Sequence, residues 1–224
     1  MKDLSDWSKL AWSGLLAGFM TLCLTPAFAV DQRVWEKSID LEKKERYIPV
    51  ELWAGADWDG EKALKMPKVD GAYRHLKATY QIKGPMEWEH PTMGRKFLVY
   101  ERINPGRDGV KWQLFTINQD QNGLGRLYDG RPGRDGRLSS GGLKFPLGIW
   151  KEGETRKFVY QVWQSKESER MESITIQKID YVFQGSAHCL EFYWTATSRS
   201  GGTIYDRQTY IYCPGKSMVS QIQH

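Results

Sequence analysis

Apolar and polar residues alternate along most of the chain from Tyr47 onward. In the segment Tyr73–Lys83, the residues at even positions from Leu76 to Ile82 are apolar and those between them are polar. A two-residue period built from Val, Ile, Thr, Tyr and Trp is typical of β-strands with one buried face. Similar runs occur at residues 97–100, 112–117, 158–163, 174–182, 190–194 and 204–212. The pattern predicts a mainly β protein.

The breaks between these runs carry turn-forming residues. Examples are Gly84-Pro85, Asn104-Pro105-Gly106, Asn122-Gly123, Glu152-Gly153 and Gly201-Gly202. No long amphipathic helix recurs between the runs, which disfavours a parallel sheet with crossover helices. We therefore predict an antiparallel meander of about ten strands, forming a barrel, a half-barrel or a sandwich.

The first 29 residues have the pattern of a signal peptide. Leu10–Leu24 is mostly apolar, and Ala27 and Ala29 form the small-residue pattern that precedes signal peptidase cleavage. We expect residues 1–29 to direct the protein to the periplasm or out of the cell. The alternative is an anchor retained in the inner membrane, because two aspartates offset the two lysines of the first nine residues.

Two regions follow the signal segment. Residues 30–46 are a polar lead-in, predicted as a short helix or a loose segment, and residues 47–224 are predicted as a single β-rich domain with a substantial core. The net charge is +5, but Lys and Arg are interspersed with Asp and Glu. This distribution is typical of a solvated surface and does not predict nucleic-acid binding.

Cys189 and Cys213 are the cysteines that remain once the signal segment, which contains Cys23, is removed. An even number of cysteines in an oxidising compartment indicates a disulfide. A hairpin folded around Gly201 places Cys189 opposite Cys213 and Phe192 opposite Tyr210. Facing residues on neighbouring strands are close enough for a disulfide.

The segment 118–142 is glycine-rich and poorly periodic, which predicts a long loop or lid. Four arginines in it are candidate ligand-binding residues: Arg126, Arg131, Arg134 and Arg137. Guanidinium groups suit carboxylate or phosphate groups. The alternative is a solvated loop in which Asp120, Asp129 and Asp135 pair with these arginines.

Three tryptophans are further candidates for ligand contact. Trp53, Trp58 and Trp88 lie in turn-rich sequence, whereas most of the tryptophans that follow the signal segment are expected in the core. Indole rings at such positions suit a sugar ring or an acyl chain.

Signatures of catalysis are sparse. The sequence has no nucleophile elbow, zinc-binding helix motif or phosphate-binding loop. Asp57, Asp59 and Glu61 could hold a cation or supply acids for polysaccharide hydrolysis, but no second acid is fixed at the required distance. We predict no catalytic residue, metal site or cofactor.

Two stretches resemble uncharacterised bacterial periplasmic β-rich domains. They are Phe145–Trp150 with Glu152–Thr155, and the closing Tyr210–Val219, which contains a strand, a Pro-Gly turn and a last valine-bearing strand. Those domains are curled, half-barrel-like antiparallel sheets that shelter an apolar ligand or a partner's segment. The resemblance implies the same fold and compartment here, and it supplies no catalytic residues.

We therefore expect an exported binding or accessory domain that shelters an apolar or amphipathic ligand in a curled β-sheet with a charged rim. The expected partners are a lipid, a glycan or an envelope protein, with membrane contact only through the signal segment. The alternatives are a secreted hydrolase acting on polysaccharide and a structural envelope protein that docks by a sheet edge.

Overall fold

The computed structural model describes residues 32–224 apart from 54–59, 68–72, 107–108, 119–122, 131–135, 165–166, 184 and 215–216. The predicted signal peptide, residues 1–29, therefore lies outside the described residues. Helix α1 (Gln32–Lys37) precedes strands β1 (Ile39–Asp40) and β2 (Glu45–Ile48), a 3₁₀ turn (Val50–Leu52) and strand β3 (Gly60–Pro67). Then follow β4 (Tyr73–His90), β5 (Arg95–Gly106), β6 (Gly109–Asn118), β7 (Gly123–Gly130), β8 (Arg137–Pro146) and β9 (Gly148–Lys151). The remaining strands are β10 (Thr155–Trp163), β11 (Glu167–Phe183), β12 (Ser186–Ser198), β13 (Ile204–Cys213) and β14 (Ser217–Gln223).

These strands form two sheets, and the prediction of a mainly β, antiparallel protein is confirmed. The small sheet has the order β1-β2-β9. In the large sheet each strand from β3 to β8 and from β10 to β14 pairs with the next along the chain, as in a meander. The structure has more strands than the ten or so predicted, because the sequence analysis did not resolve β1, β2 and β9 as a sheet of their own.

The large sheet curls around an interior. Its two runs of hairpins, β3 to β8 and β10 to β14, meet at both edges. Strand β8 pairs with β10, and strand β14 pairs in parallel with β3. Both junctions are narrow: β8 and β10 share two residue pairs, and so do β14 and β3. The antiparallel pairs elsewhere are longer, so the hairpins rather than these junctions hold most of the sheet.

The predicted hairpin of β12 and β13 has the register expected from the sequence. Phe192 faces Tyr210, and Cys189 and Cys213 form a disulfide with a Cα–Cα distance of 4.2 Å. The register shifts only after Ala196, close to the turn. The disulfide therefore joins the two strands at the end opposite their connecting turn.

The segment 118–142 contains strands where the sequence predicted a lid or loop, so that prediction is wrong. Its glycines permit close packing within β7 and β8. A Cβ atom at Gly125 would lie 2.6 Å from the carbonyl oxygen of Gly141, and one at Gly142 would lie 2.7 Å from the ring of Tyr160. Glycine occurs in strand interiors where another group approaches the backbone closely.

The lead-in packs against the large sheet. Trp35 of α1 is buried, and the Arg46 guanidinium carbon lies 4.0 Å from the centre of its ring. Trp35 Nε1 and Arg46 Nη1 both donate hydrogen bonds to the carbonyl oxygen of His188 on β12. The short helix, one of the two predicted alternatives, is thus fixed to the sheet by an indole and a guanidinium. Among the residues that the structure describes, none of the helices has the length and hydrophobicity of a transmembrane segment.

Candidate functional site: a charged cavity inside the curled sheet

The interior of the large sheet contains a cavity of about 540 Å³ beside the main apolar core. Trp194 and Tyr210 belong to both the core and the cavity lining. Five cationic side chains line the cavity, namely Arg102, Arg126, Arg137, Lys144 and Arg170, together with the carboxylates Asp129 and Asp206. The interior lining is therefore charged and polar. This corrects the expectation of an interior lined by apolar side chains.

The cavity lining comes from alternate positions of neighbouring strands. Arg170 lies two residues from the buried Glu172 on β11, Trp194 two residues from Ala196 on β12, and Gln208 two residues from Tyr210 on β13. Such positions point to the same face of a strand. The strand geometry thus places polar side chains of several strands in one interior space.

Arg126 is the centre of an ion-pair network in one part of the cavity. Its Nη1 lies 2.9 Å from Asp129 Oδ2 and its Nη2 3.7 Å from Glu172 Oε1. Arg137 Nη2 lies 3.7 Å from the same Asp129 oxygen, and the Tyr160 hydroxyl donates to Glu172 Oε1 at 2.6 Å. Burial opposes the charge of Arg126, but the two carboxylates outweigh it and raise its pKa. The charge of Arg126 is thus matched by its neighbours.

The pKa of Tyr160 is raised in this network, whereas the pKa of Arg137 is lowered. Burial, reinforced by the Glu172 carboxylate, raises the pKa of Tyr160, so its hydroxyl stays protonated and acts as a donor. Burial, with the neighbouring charge of Arg126, lowers the pKa of Arg137. When two guanidinium groups share one carboxylate, their positive charge is less fully neutralised than in a pair of one guanidinium and one carboxylate.

Lys144 of β8 occupies a different environment. Its side chain is buried, and Nζ lies 3.0 Å from the centre of the Trp194 ring. Among the described residues, its hydrogen-bond contact is the amide oxygen of Gln208 at 3.4 Å, and it forms no ion pair. Burial, followed by the charge of Arg126, lowers the pKa of Lys144 well below its ordinary value. Within the described part of the chain, Lys144 is therefore a buried amine that has no carboxylate at ion-pair distance, although Asp206 and Glu172 act on its charge from farther away.

A hydrogen-bond network of amides fixes Gln208 beside Lys144. Gln208 donates to Asp206 Oδ2 at 2.5 Å and accepts from Gln221 Nε2 at 2.6 Å and from the hydroxyl of Tyr210. These contacts hold the Gln208 amide oxygen toward Lys144. That oxygen is a neutral acceptor and cannot compensate a full positive charge.

Arg170 is the second cation of the lining that has no carboxylate partner within the described part of the chain. Its guanidinium carbon lies 4.2 Å from the centre of the Tyr205 ring. Its Nε atom is buried and forms no hydrogen bond with a described residue. Arg102, by contrast, donates from Nε to Gln113 Oε1 at 2.8 Å. Among the described residues, the lining thus has five cation-forming side chains and two carboxylates, Asp129 and Asp206.

The structure brings together two of the predicted ligand-binding residues, Arg126 and Arg137, and places both in the cavity lining. Arg131, Arg134 and Trp58 lie outside the described residues. Asp57 and Asp59 also lie outside them, and the side chain of Glu61 is not described.

Two predicted tryptophans lie away from the cavity lining. Trp53 is a core residue with 1% of its surface exposed, and its ring stacks on Phe145. Its Nε1 donates to the carbonyl oxygen of Pro146 at 2.9 Å, which satisfies the indole inside the core. Trp88 is half-buried and packs against a separate apolar cluster around Val99 and Leu114.

Sequence reasoning missed Lys144, Arg170 and the amide network of β13. The available signal was the alternation Asp206, Gln208, Tyr210, which places three polar groups on one face of a strand. Such a pattern is ordinarily that of a solvent-exposed face. Only the pairing of all the strands shows that this face is enclosed.

No protein-family model, curated protein or solved structure matches the chain. Among the described residues, no group of three His, Cys, Asp or Glu side chains is placed to hold a metal ion. The cavity itself is therefore the basis for a functional conclusion.

Proposed function

We propose that this protein is an exported binding domain that holds a carboxylate-bearing or other anionic ligand in the cavity of its curled sheet. The observation that carries the proposal is Lys144, a buried cation-forming group with no carboxylate partner among the described residues. An uncompensated buried charge is unfavourable, and an anion entering the cavity would provide the missing partner. The apolar core beside the cavity would accommodate an apolar part of an amphipathic ligand.

The surrounding groups give the site its selectivity for anions. Arg170 and Lys144 offer donors, whereas Asp129 is already engaged by Arg126. Hydrogen bonds between a carboxylate and cationic donors are stronger in a partly desolvated cavity than at a surface. The ligand would be held by these groups without a chemical step.

Calorimetric titration with acetate, succinate, citrate and glycolate at low ionic strength tests the proposal. We expect saturable binding at one site per chain for at least one of these acids. Lys144→Met should weaken it by about tenfold to a hundredfold, the range of a hydrogen bond to a charged group. Lys157→Met changes an exposed lysine of β10 and is the matched control. Absence of saturable binding, or equal weakening by both substitutions, would contradict the proposal.

Export is tested by the intact mass of the protein recovered from the periplasm. A chain that lacks residues 1–29 supports cleavage of the signal peptide. Recovery of the uncleaved chain from the membrane fraction would support the anchor instead. Any small molecule that remains bound in native mass spectra identifies the ligand class directly.

A further inference from the structure

Lys144 is the one lysine among the described residues that line the cavity. The other cations of the lining are arginines, whose guanidinium groups stay protonated and are poor nucleophiles. Tyr160 is also excluded as a nucleophile, because its hydroxyl donates to Glu172 and stays protonated. Lys144 is therefore the candidate nucleophile of the cavity.

The surroundings of Lys144 favour the unprotonated amine. The side chain is 3% exposed, and it forms no ion pair with a described carboxylate. Burial and the nearby charge of Arg126 lower its pKa by more than the charges of Asp206 and Glu172 raise it. Desolvation and a neighbouring cation are the two features that activate lysine toward carbonyl groups.

We propose that Lys144 forms a reversible imine with the carbonyl group of an oxo acid bound in the cavity. This inference rests on the proposed anion binding, because the carboxylate of the oxo acid would be held by cations of the lining such as Arg170. The cavity volume of about 540 Å³ leaves room for a small oxo acid beside the lysine side chain.

The reaction is balanced without an oxidant or a reductant. The lone pair of Nζ attacks the carbonyl carbon, and the proton released from nitrogen passes to the carbonyl oxygen to give a carbinolamine. The carbon–oxygen bond then breaks, and the hydroxyl group leaves as water with a second proton from nitrogen. One amine and one carbonyl group thus give one imine and one water.

Reductive trapping tests the proposal. The folded, disulfide-bonded protein is incubated with glyoxylate and sodium cyanoborohydride, which reduces an imine to a stable secondary amine. We expect one adduct per chain, located at Lys144 by peptide mapping. Lys144→Arg keeps a long nitrogen-bearing side chain, but its guanidinium stays protonated and forms no imine, so this variant should lose the adduct, whereas Lys157→Arg should retain it. Equal labelling of exposed lysines, or unchanged labelling of Lys144→Arg, would overturn the proposal.

A second measurement separates imine formation from binding. Glycolate has the carboxylate of glyoxylate but no carbonyl group, so its binding reports the proposed function alone. Binding of both acids without trapped adduct would overturn the imine and leave anion binding intact. Absence of glycolate and glyoxylate binding, together with absence of adduct, would count against both proposals. Thermal unfolding of Lys144→Arg and Lys144→Met establishes that a lost adduct does not reflect loss of the fold.

Discussion

Lys144 Nζ lies 3.0 Å from the centre of the Trp194 ring, and the Trp194 indole nitrogen donates to the carbonyl oxygen of Leu143 at 3.2 Å. The Trp194 ring is thus held by the backbone of Leu143, the residue directly before the lysine that the ring contacts. A cation over an indole face is stabilised by about 2 kcal/mol when desolvated. This contact offsets part of the cost of burying an amine that has no carboxylate partner within the described structure.

Lys144→Met should raise the stability of the ligand-free protein. Methionine has a similar length and no charge to desolvate, so the free energy of unfolding should increase by about 1 to 3 kcal/mol. Urea denaturation without ligand measures this change. Such a gain in stability is expected when a residue that serves ligand binding is replaced, because functional residues often destabilise the ligand-free protein.

Lys157→Met provides the control for this comparison, because Lys157 is exposed on β10 and its replacement should leave the unfolding midpoint almost unchanged. A lower stability of Lys144→Met than of the parent protein would show that Lys144 is a structural residue. That result would remove the observation on which the proposed function depends.

Anion binding should be accompanied by proton uptake. Because the pKa of Lys144 is lowered well below its usual value, part of the ligand-free protein carries a neutral amine as the pH rises toward that lowered pKa. A bound anion favours the charged form and raises the pKa again. Binding should therefore be strongest below the lowered pKa and weaken as the pH increases through it.

Calorimetric titration of succinate or citrate in two buffers of different ionisation enthalpy measures the protons taken up. The uptake should disappear in Lys144→Met and persist in Lys157→Met. Equal uptake in both variants would assign the proton to another group.

The hairpin of β12 and β13 could be predicted from the sequence to the level of facing residues. The information was local: one turn at Gly201-Gly202, alternating residues on either side, and two cysteines equidistant from the turn. Register in a hairpin follows from turn position and alternation. The same reasoning does not extend to strands joined across the chain, such as β14 and β3.

Removal of the disulfide should lower stability. Cys189 and Cys213 are separated by 24 residues, and closing a loop of that size stabilises a protein by about 3 kcal/mol in the chain-entropy description. The double variant Cys189→Ala, Cys213→Ala should therefore lose about 3 kcal/mol in urea denaturation. A reductant should destabilise the parent protein to a similar extent and leave the variant unchanged. Sensitivity of the variant to the reductant would contradict this account.

The charged interior could not be predicted from the sequence, for two physical reasons. First, glycines in β7 and β8 resemble loop residues, whereas they permit the close packing of Tyr160 over Gly142. Second, alternation assigns residues to two faces but does not say which face is enclosed. Arg126 and Arg137 were predicted as ligand-binding residues because guanidinium groups suit anions. The segment predicted as a loop around them is instead the strand pair β7 and β8.

Gly142→Ala tests whether the close packing of Tyr160 against Gly142 maintains the anion-binding cavity. A Cβ atom at this position would lie 2.7 Å from the Tyr160 ring, closer than ordinary contact, so the ring must move. Movement of Tyr160 breaks or lengthens its hydrogen bond to Glu172 and changes the network around Arg126. We expect a loss of stability of about 1 to 3 kcal/mol, as for overpacking in a core, and weaker anion binding. Gly202→Ala is the matched control, because its Cβ would meet only Ser200 Oγ at 3.7 Å, and it should change neither property. Unaltered binding in a Gly142→Ala protein that is measurably destabilised would show that the Tyr160–Glu172 contact does not shape the site.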